Sequence, residues 1–222
     1  MGLFDLFSKK RRVPYQNESL NRLYELLFCD DIALYKTENH PTEYPWDVLL
    51  AAAPDQTKLA AVATDQNLEA RQRLLAYRLL AAGGAPVHSQ ELLGVVVEVG
   101  LPGGLDVLAA FEDGGARYFN QAEKLLIWET STPQSAHLIQ ALFAESLRVV
   151  NRIGKWDQKR RPFPANGTVR MSFLMSDGLY FGEGPFESMQ ADPMGGPVIA
   201  AATQLMSYLT QYKADDDDAA AA

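Results

Sequence analysis

The chain has 222 residues, of which 47% are hydrophobic and 22% are charged, a composition typical of a folded globular protein. Lys and Arg number 20 against 28 Asp and Glu, which gives a formal net charge of −8. An acidic chain lacks the positive surface that broad nucleic-acid binding requires. The single Cys excludes an intrachain disulfide and any zinc site built from several cysteines.

The sequence contains no stretch close to the ~20 consecutive apolar residues that a membrane span requires. The apolar run of residues 3–7 is interrupted by Asp5, and it precedes the nearest cations, whereas a secretory signal has its cations first. We therefore expect a cytoplasmic protein, of bacterial type.

The first 16 residues form a segment of their own, apolar at the start and cationic towards the end. In a helix, Leu3, Phe4 and Phe7 would share one face, with a run of cations just beyond them. This pattern resembles the short amphipathic starts of some peripheral bacterial proteins, which lie in the bilayer interface. The alternatives are a frayed, mobile start and a short helix packed on the protein's own core. The predicted membrane contacts are Leu3, Phe4, Phe7, Lys9, Lys10, Arg11 and Arg12.

Residues 17–84 are predicted to form an α-helical N-terminal region. Leu20, Leu23, Tyr24 and Leu27 recur at helical spacing over residues 17–30. Further helices are expected at residues 46–53 (or a short strand there), 55–63 and 66–82. The last of these is expected to end at the glycines of residues 83–84.

After residue 91 the pattern changes to β-strands, and two hairpin-then-helix units follow. In the first, residues 91–153, strands flank Asp113-Gly114 and a helix covers 134–152. In the second, residues 167–212, strands flank Asp177-Gly178 and a helix covers 198–212. The prediction is an α+β fold whose antiparallel sheet is built from two Asp-Gly hairpin units and packed by amphipathic helices. One domain would span 17–213, with a disordered acidic and Ala-rich tail over 214–222.

Motifs that carry chemistry are missing from the sequence. It has no G-x-S-x-G, H-E-x-x-H, C-x-x-C or phosphate-binding glycine loop. His40, His88 and His137 stand far apart, and Cys29 reads as a small buried apolar residue. We therefore predict no catalytic residue, no metal ligand and no cofactor.

A basic and aromatic loop at residues 154–164 is the best candidate for binding an anion or a partner. Arg side chains stack on aromatic rings and pair with phosphates or carboxylates, and a loop between a helix and a strand lies at the surface. The alternative is a solvated loop that Trp156 and Phe163 fix to the core. The predicted site residues are Lys155, Trp156, Lys159, Arg160, Arg161 and Phe163.

These observations favour a non-catalytic protein-binding module, of an interaction, regulatory or immunity type, and a protein partner or a homodimer. One alternative is a peripheral membrane protein anchored by residues 1–12. Another is an enzyme or small-molecule binder with a cleft around residues 182–197 and Arg117 or Arg170.

Overall fold

The computed structural model of this chain describes residues 13–37 and 40–212. Within them, six strands form a single antiparallel sheet, and helices lie on both of its faces. The predicted α+β class, with an antiparallel sheet and a helical N-terminal region, is confirmed. No helix in these ranges is both long and apolar enough to cross a membrane.

The N-terminal helices are short, and the two longest helices come after the strands of each unit. The helices are α1 (Glu18–Leu26), α2 (Trp46–Leu49), α3 (Gln56–Thr64), α4 (Ala70–Ala82), α5 (Pro133–Val150), α6 (Phe186–Ala191) and α7 (Gly195–Gln211). The strands are β1 (Leu92–Leu101), β2 (Gly104–Phe111), β3 (Ala116–Phe119), β4 (Leu125–Trp128), β5 (Thr168–Met175) and β6 (Gly178–Pro185).

The strand order is β4-β3-β2-β1-β5-β6, so β1 is central and β4 and β6 are the two edges. Strands β1 to β4 follow one another as a meander, and β5–β6 pairs onto β1 from the other side. Glu112 to Gly115 join β2 to β3, while Ser176 and Asp177 join β5 to β6.

The first face of the sheet packs against α1 to α4. Its core includes Tyr24, Leu59 and Leu74 from the helices with Val96 and Phe111 from the strands. We call this side the N-terminal face. It also carries charged and polar side chains that are almost fully buried, namely Arg73, Glu98, Arg170 and Ser172.

The second face, which we call the C-terminal face, packs against α5 and α7. Its core is apolar, with Val95 and Phe173 from the strands, Leu142 from α5 and Leu205 from α7 among the fully buried side chains. Period-two alternation along each strand separates the two cores.

Local signals set the helix ends, with some differences from the sequence prediction. Thr132 caps α5 in a reciprocal capping box with Ser135, as expected for Thr before an N1 proline. The helix predicted from residue 66 begins at Ala70, because Glu69 and Gln72 form its capping box. The final helix begins at Gly195 rather than at residue 198, since Asp192 accepts hydrogen bonds from the backbone of Met194 and Gly195.

Candidate functional site

The loop that the sequence predicted as a binding site, which we call the strap (residues 154–164), lies against the β6 edge and then crosses the N-terminal face. The Trp156 backbone N–H donates to the Leu179 carbonyl at 2.7 Å. The indole ring packs edge-on against Phe181, with 5.1 Å between ring centroids. The strap therefore occupies part of the edge that β6 would otherwise present.

Arg160 fixes the strap to the N-terminal helices. Its Nε donates to Asp30 Oδ2 at 2.7 Å, a second guanidinium N–H donates to Glu25, and its Cζ lies 3.8 Å above the Phe28 ring centroid. Burial lowers the pKa of Arg160, but Asp30, Tyr24 and Glu25 outweigh it, so the pKa lies above its ordinary value. This predicted anion ligand is already paired with two carboxylates of its own chain.

A buried polar cluster under the strap was not foreseen from the sequence. Arg170 donates to Glu183 at 2.6 Å and to the carbonyls of Arg161 and Pro162 at 3.2 and 2.6 Å. Its Nη1 lies 3.8 Å from Glu98 Oε2. Arg170 thus joins β5 to both β6 and the strap.

Glu98 is the most buried charged group of this cluster. Its Oε1 accepts a hydrogen bond from the Tyr24 hydroxyl at 2.6 Å, while its Oε2 is buried without a hydrogen-bond partner. Burial raises the pKa of Glu98 above its ordinary value, and the opposing effects of Arg170 and Tyr24 are smaller. The cluster links α1, β1, β5 and the strap, and its role is therefore structural.

The remaining strap residues divide into exposed and packed ones. Lys155 and Lys159 are exposed and form no ion pair within the described ranges. The guanidinium of Arg161 lies 5.1 Å from the Trp156 ring and 5.4 Å from the Phe181 ring. Phe163 packs against the core of the N-terminal face.

A cleft of about 500 Å³ brings four of the six predicted strap residues together, namely Lys155, Trp156, Lys159 and Arg160. Its cationic lining residues are Arg78, Lys155, Lys159 and Arg160, and its acidic ones are Glu25, Asp30, Asp31 and Asp177. Cations and carboxylates are therefore balanced at this cleft. Balanced charge gives no general preference for an anion, which weakens the anion-binding interpretation.

The other candidate residues are placed as follows. The predicted membrane contacts, Leu3 to Arg12, lie outside the described residues. Cys29 is buried, and burial raises the pKa of its thiol to about 11, so the reactive thiolate is disfavoured at neutral pH. No group of three or more metal-ligating side chains occurs in the described residues.

The segment of residues 182–197, considered above as the rim of a small-molecule cleft, is mostly regular structure. It comprises the end of β6, all of α6 and the first turn of α7. Arg170, one of the two cations suggested for that cleft, turns towards the strap, and the other, Arg117, lies in a separate cleft beside β4.

The opposite edge of the sheet, β4, is not covered by any of the residues that the structure describes. The Asn120 N–H donates to the Lys124 carbonyl, which marks that pair as the hydrogen-bonded type. Because antiparallel pairs alternate, Leu126 faces β3, whereas the N–H and C=O groups of Leu125 and Ile127 point outward. The Ile127 side chain is 53% exposed. An apolar strand with outward-facing backbone groups is a template for adding another strand.

A cleft of about 510 Å³ lies beside this edge, on the N-terminal face. Phe111 lines it, with the Arg71 guanidinium 5.6 Å from the centre of the Phe111 ring. Arg117, opposite Ile127 in the sheet, donates to Glu129 at 2.8 Å and to the Trp128 carbonyl at 3.1 Å. Burial and the nearby Arg71 lower the pKa of Arg117. The cleft thus combines the Phe111 ring with two guanidinium groups and four carboxylates, those of Glu69, Glu112, Asp113 and Glu129.

Over residues 13–37 and 40–212 the structure defines an α+β protein with an antiparallel sheet between two helical layers, one sheet edge partly covered and the other open. Comparisons with protein-family models, with curated proteins and with solved structures find no match to this chain. Its function is therefore argued from its own geometry.

Proposed function

We propose that this chain is a protein-binding module that acts without catalysis, and that its binding site is the β4 edge together with the neighbouring cleft. The observation that carries the proposal is the outward-facing backbone of Leu125 and Ile127 on a strand whose Ile127 side chain is 53% exposed. Strand addition uses main-chain hydrogen bonds for affinity and side-chain pockets for specificity.

The cleft beside β4 supplies such a pocket. A strand added to β4 would place every second side chain on the N-terminal face, where Ile127 lies next to Arg117. The next side chain of the added strand on that face would lie beside Glu129, which lines the cleft together with Arg117. The arrangement therefore favours an extended segment with an apolar side chain opposite Ile127.

The first partner to test is a second copy of this chain. An antiparallel β4 pair related by a two-fold axis would place Ile127 opposite Ile127 of the second copy, a self-complementary contact. Hydrogen-bonded antiparallel partners have Cα atoms ~5.5 Å apart. That separation lies within the range that a disulfide spans.

The experiment is a cross-link. The Ile127→Cys variant is oxidised gently, and we expect a covalent dimer on a non-reducing gel. Leu147→Cys is the matched control, since Leu147 is 39% exposed but lies on α5, away from β4. The native Cys29 is 1% exposed and does not compete. A dimer with both variants, or with neither, contradicts β4 pairing between copies.

A second measurement decides whether the edge binds any extended segment. Ile127→Pro removes an outward-facing N–H but no bond of the chain's own sheet, because Pro is tolerated at that side of an edge strand. The native chain and this variant are each presented with a displayed library of random peptides. We expect peptides with alternating apolar residues that bind the native chain alone. The proposal is overturned if Ile127→Pro abolishes neither peptide binding nor self-association.

A further inference from the structure

An apolar groove crosses the C-terminal face at the end of the sheet where β1 turns into β2. It has a volume of about 200 Å³. Its floor is Val97 and Leu108, which are 5% exposed, and its wall on α7 includes Ala202, Thr203 and Met206. Half-buried apolar side chains at its rim, Val99, Leu101, Tyr118 and Phe186, lack the full cover that the rest of this core has.

The volume suits an aromatic side chain. Closed apolar cavities of roughly 150 Å³ are known to accept benzene. A phenyl ring in this groove would contact β1, β2, β3 and α7 at once. Burial of the ring and of the rim residues would be favourable because it removes apolar surface from water.

The described chain begins at the same end of the sheet as this groove, with Tyr15 packed on the opposite, N-terminal face. The Tyr15 hydroxyl donates to the Leu105 carbonyl at 3.0 Å, and a Cβ placed on Gly104 would lie 3.5 Å from the Pro14 carbonyl oxygen. Gly104 pairs across the turn with Leu101, which lines the groove. Residues 13–15 therefore lie at the same end of the sheet as the groove, one strand turn away.

The segment that precedes residue 13 is long compared with the ~5 Å between neighbouring strands. Twelve residues span ~40 Å when extended and ~18 Å as a helix. Its apolar residues, among them Leu3, Phe4 and Phe7, come first in the sequence. The C-terminal residues 213–222 carry no side chain suited to an apolar groove, since they are one Lys, four Asp and five Ala.

We propose that residues 1–12 of this chain bind in the groove between α7 and the β1–β2 turn, with the ring of Phe4 or Phe7 between Leu108 and Met206. The cations Lys9 to Arg12 then pass the end of the sheet where Asp106 and Glu123 lie. This inference is independent of binding at β4. Under this proposal Phe4 or Phe7 packs against the protein's own core, whereas the membrane alternative inserts these side chains into a bilayer.

The test uses the methyl resonances of methionine in the full chain. Met206 lies in the groove, and Met175, at the far end of β5, is 2% exposed and serves as an internal reference. Replacing both rings (Phe4→Ser with Phe7→Ser) removes the ring-current effect on Met206. We expect the Met206 methyl signal to shift and the Met175 signal to stay in place. An unchanged Met206 signal overturns the proposal.

A matched pair on α7 tests the groove from its other side. Thr203 and Thr210 are both exposed and both donate to the carbonyl four residues earlier, but Thr203 lines the groove and Thr210 does not. Each Thr is replaced by Glu. Amide exchange is measured over residues 1–12, because exchange on α7 itself would also respond to the charge of the new glutamate. Thr203→Glu is expected to accelerate exchange over residues 1–12 several-fold, and Thr210→Glu to leave it unchanged. Equal exchange in both variants contradicts the proposal.

Anionic vesicles separate the intramolecular site from the membrane alternative. Vesicles of mixed phosphatidylcholine and phosphatidylserine are added to the native chain. If the segment occupies the groove, the chain stays in solution and the Met206 signal is retained. The opposite result has two parts. The chain sediments with the vesicles at low salt, and its Met206 signal matches that of the double Phe variant before any vesicles are added. This result assigns the segment to the bilayer and overturns the proposal.

Discussion

The two edges of the sheet differ in whether other residues of the chain cover their outward-facing N–H and C=O groups. At β6, the strap bonds to the Leu179 carbonyl and lays Trp156 and Arg161 over Phe181. At β4, no residue of the described ranges covers the outward groups of Leu125 and Ile127, and the Ile127 side chain is largely exposed. Among the described residues, the same sheet thus has one edge partly covered by the strap and one edge open for addition.

The cover at β6 depends on charged groups that are far apart in the sequence. Arg160 connects the strap to α1 and its C-terminal flank, and Arg170 connects it to β5. The strap is held by two ion pairs of Arg160 and by two hydrogen bonds from Arg170 to strap carbonyls. The following predictions test how the β6 edge is covered, in contrast to β4.

The largest expected effect comes from Arg170→Met. This change leaves Glu98 buried without its nearest cation and removes the bonds to the carbonyls of Arg161 and Pro162. Loss of one member of a buried pair costs about 3–5 kcal/mol. Urea unfolding should show that loss, and amide exchange should rise in β6 more than in β4. A variant with native stability would mean that the strap does not depend on Arg170.

A smaller effect is expected from Arg160→Met. The carboxylates it pairs with, Glu25 and Asp30, keep 21% and 33% of their side-chain surface exposed, so water partly replaces the lost cation. We expect a loss of about 2 kcal/mol in the free energy of unfolding. Lys159→Met is the control from the same strap, with an expected change within about 0.5 kcal/mol. Equal losses in the two variants would contradict the role given to Arg160.

The smallest effect concerns the pH dependence of stability, tested with Glu98→Gln. Since burial raises the pKa of Glu98, the folded chain holds this proton more tightly than the unfolded chain. Its contribution to stability therefore falls as pH rises from the unfolded pKa, about 4.3, through the folded pKa. The groups that face it are Tyr24, Arg170, Arg160 and Glu183.

The glutamine side chain of this variant does not titrate, so the variant lacks this fall. The difference in unfolding free energy should shift in favour of Glu98→Gln as pH rises from about 4, and then level off above the folded pKa. Urea unfolding of both chains across that pH range measures the difference. A constant difference, or a shift in favour of the native chain, would show that Arg170 and Tyr24 outweigh burial.

The sequence predicted the elements well but misplaced one buried face. In α5, the apolar residues at helical spacing predict a core-facing side made of Ala136, Ile139, Phe143, Leu147 and Val150, whereas Leu147 is 39% exposed. The buried face includes Ser135 and Ser146 instead. The Ser146 hydroxyl donates to the Leu142 carbonyl at 2.7 Å, and such a bond lets a polar residue lie in a core. An apolar stripe alone does not reveal this.

The candidate site was less accessible to sequence reasoning than the fold. Arg160 looked like a free anion ligand because Glu25 and Asp30 lie 135 and 130 positions earlier in the chain. The β4 edge could not be identified before the strand order was known, because a short apolar strand reads the same at an edge and at the centre. Both the pairing of Arg160 and the edge position of β4 depend on which residues are neighbours in space, and residue types alone do not show this.

The position of β1 has a consequence for synthesis of the chain. Its first neighbour, β2, follows within a few residues, but its second, β5, begins only at Thr168. While the intervening residues leave the ribosome, the valine-rich strand Leu92–Leu101 has one unpaired side. Late pairing of this kind slows folding and exposes the nascent chain to aggregation. Newly made copies are therefore most vulnerable before the second hairpin emerges.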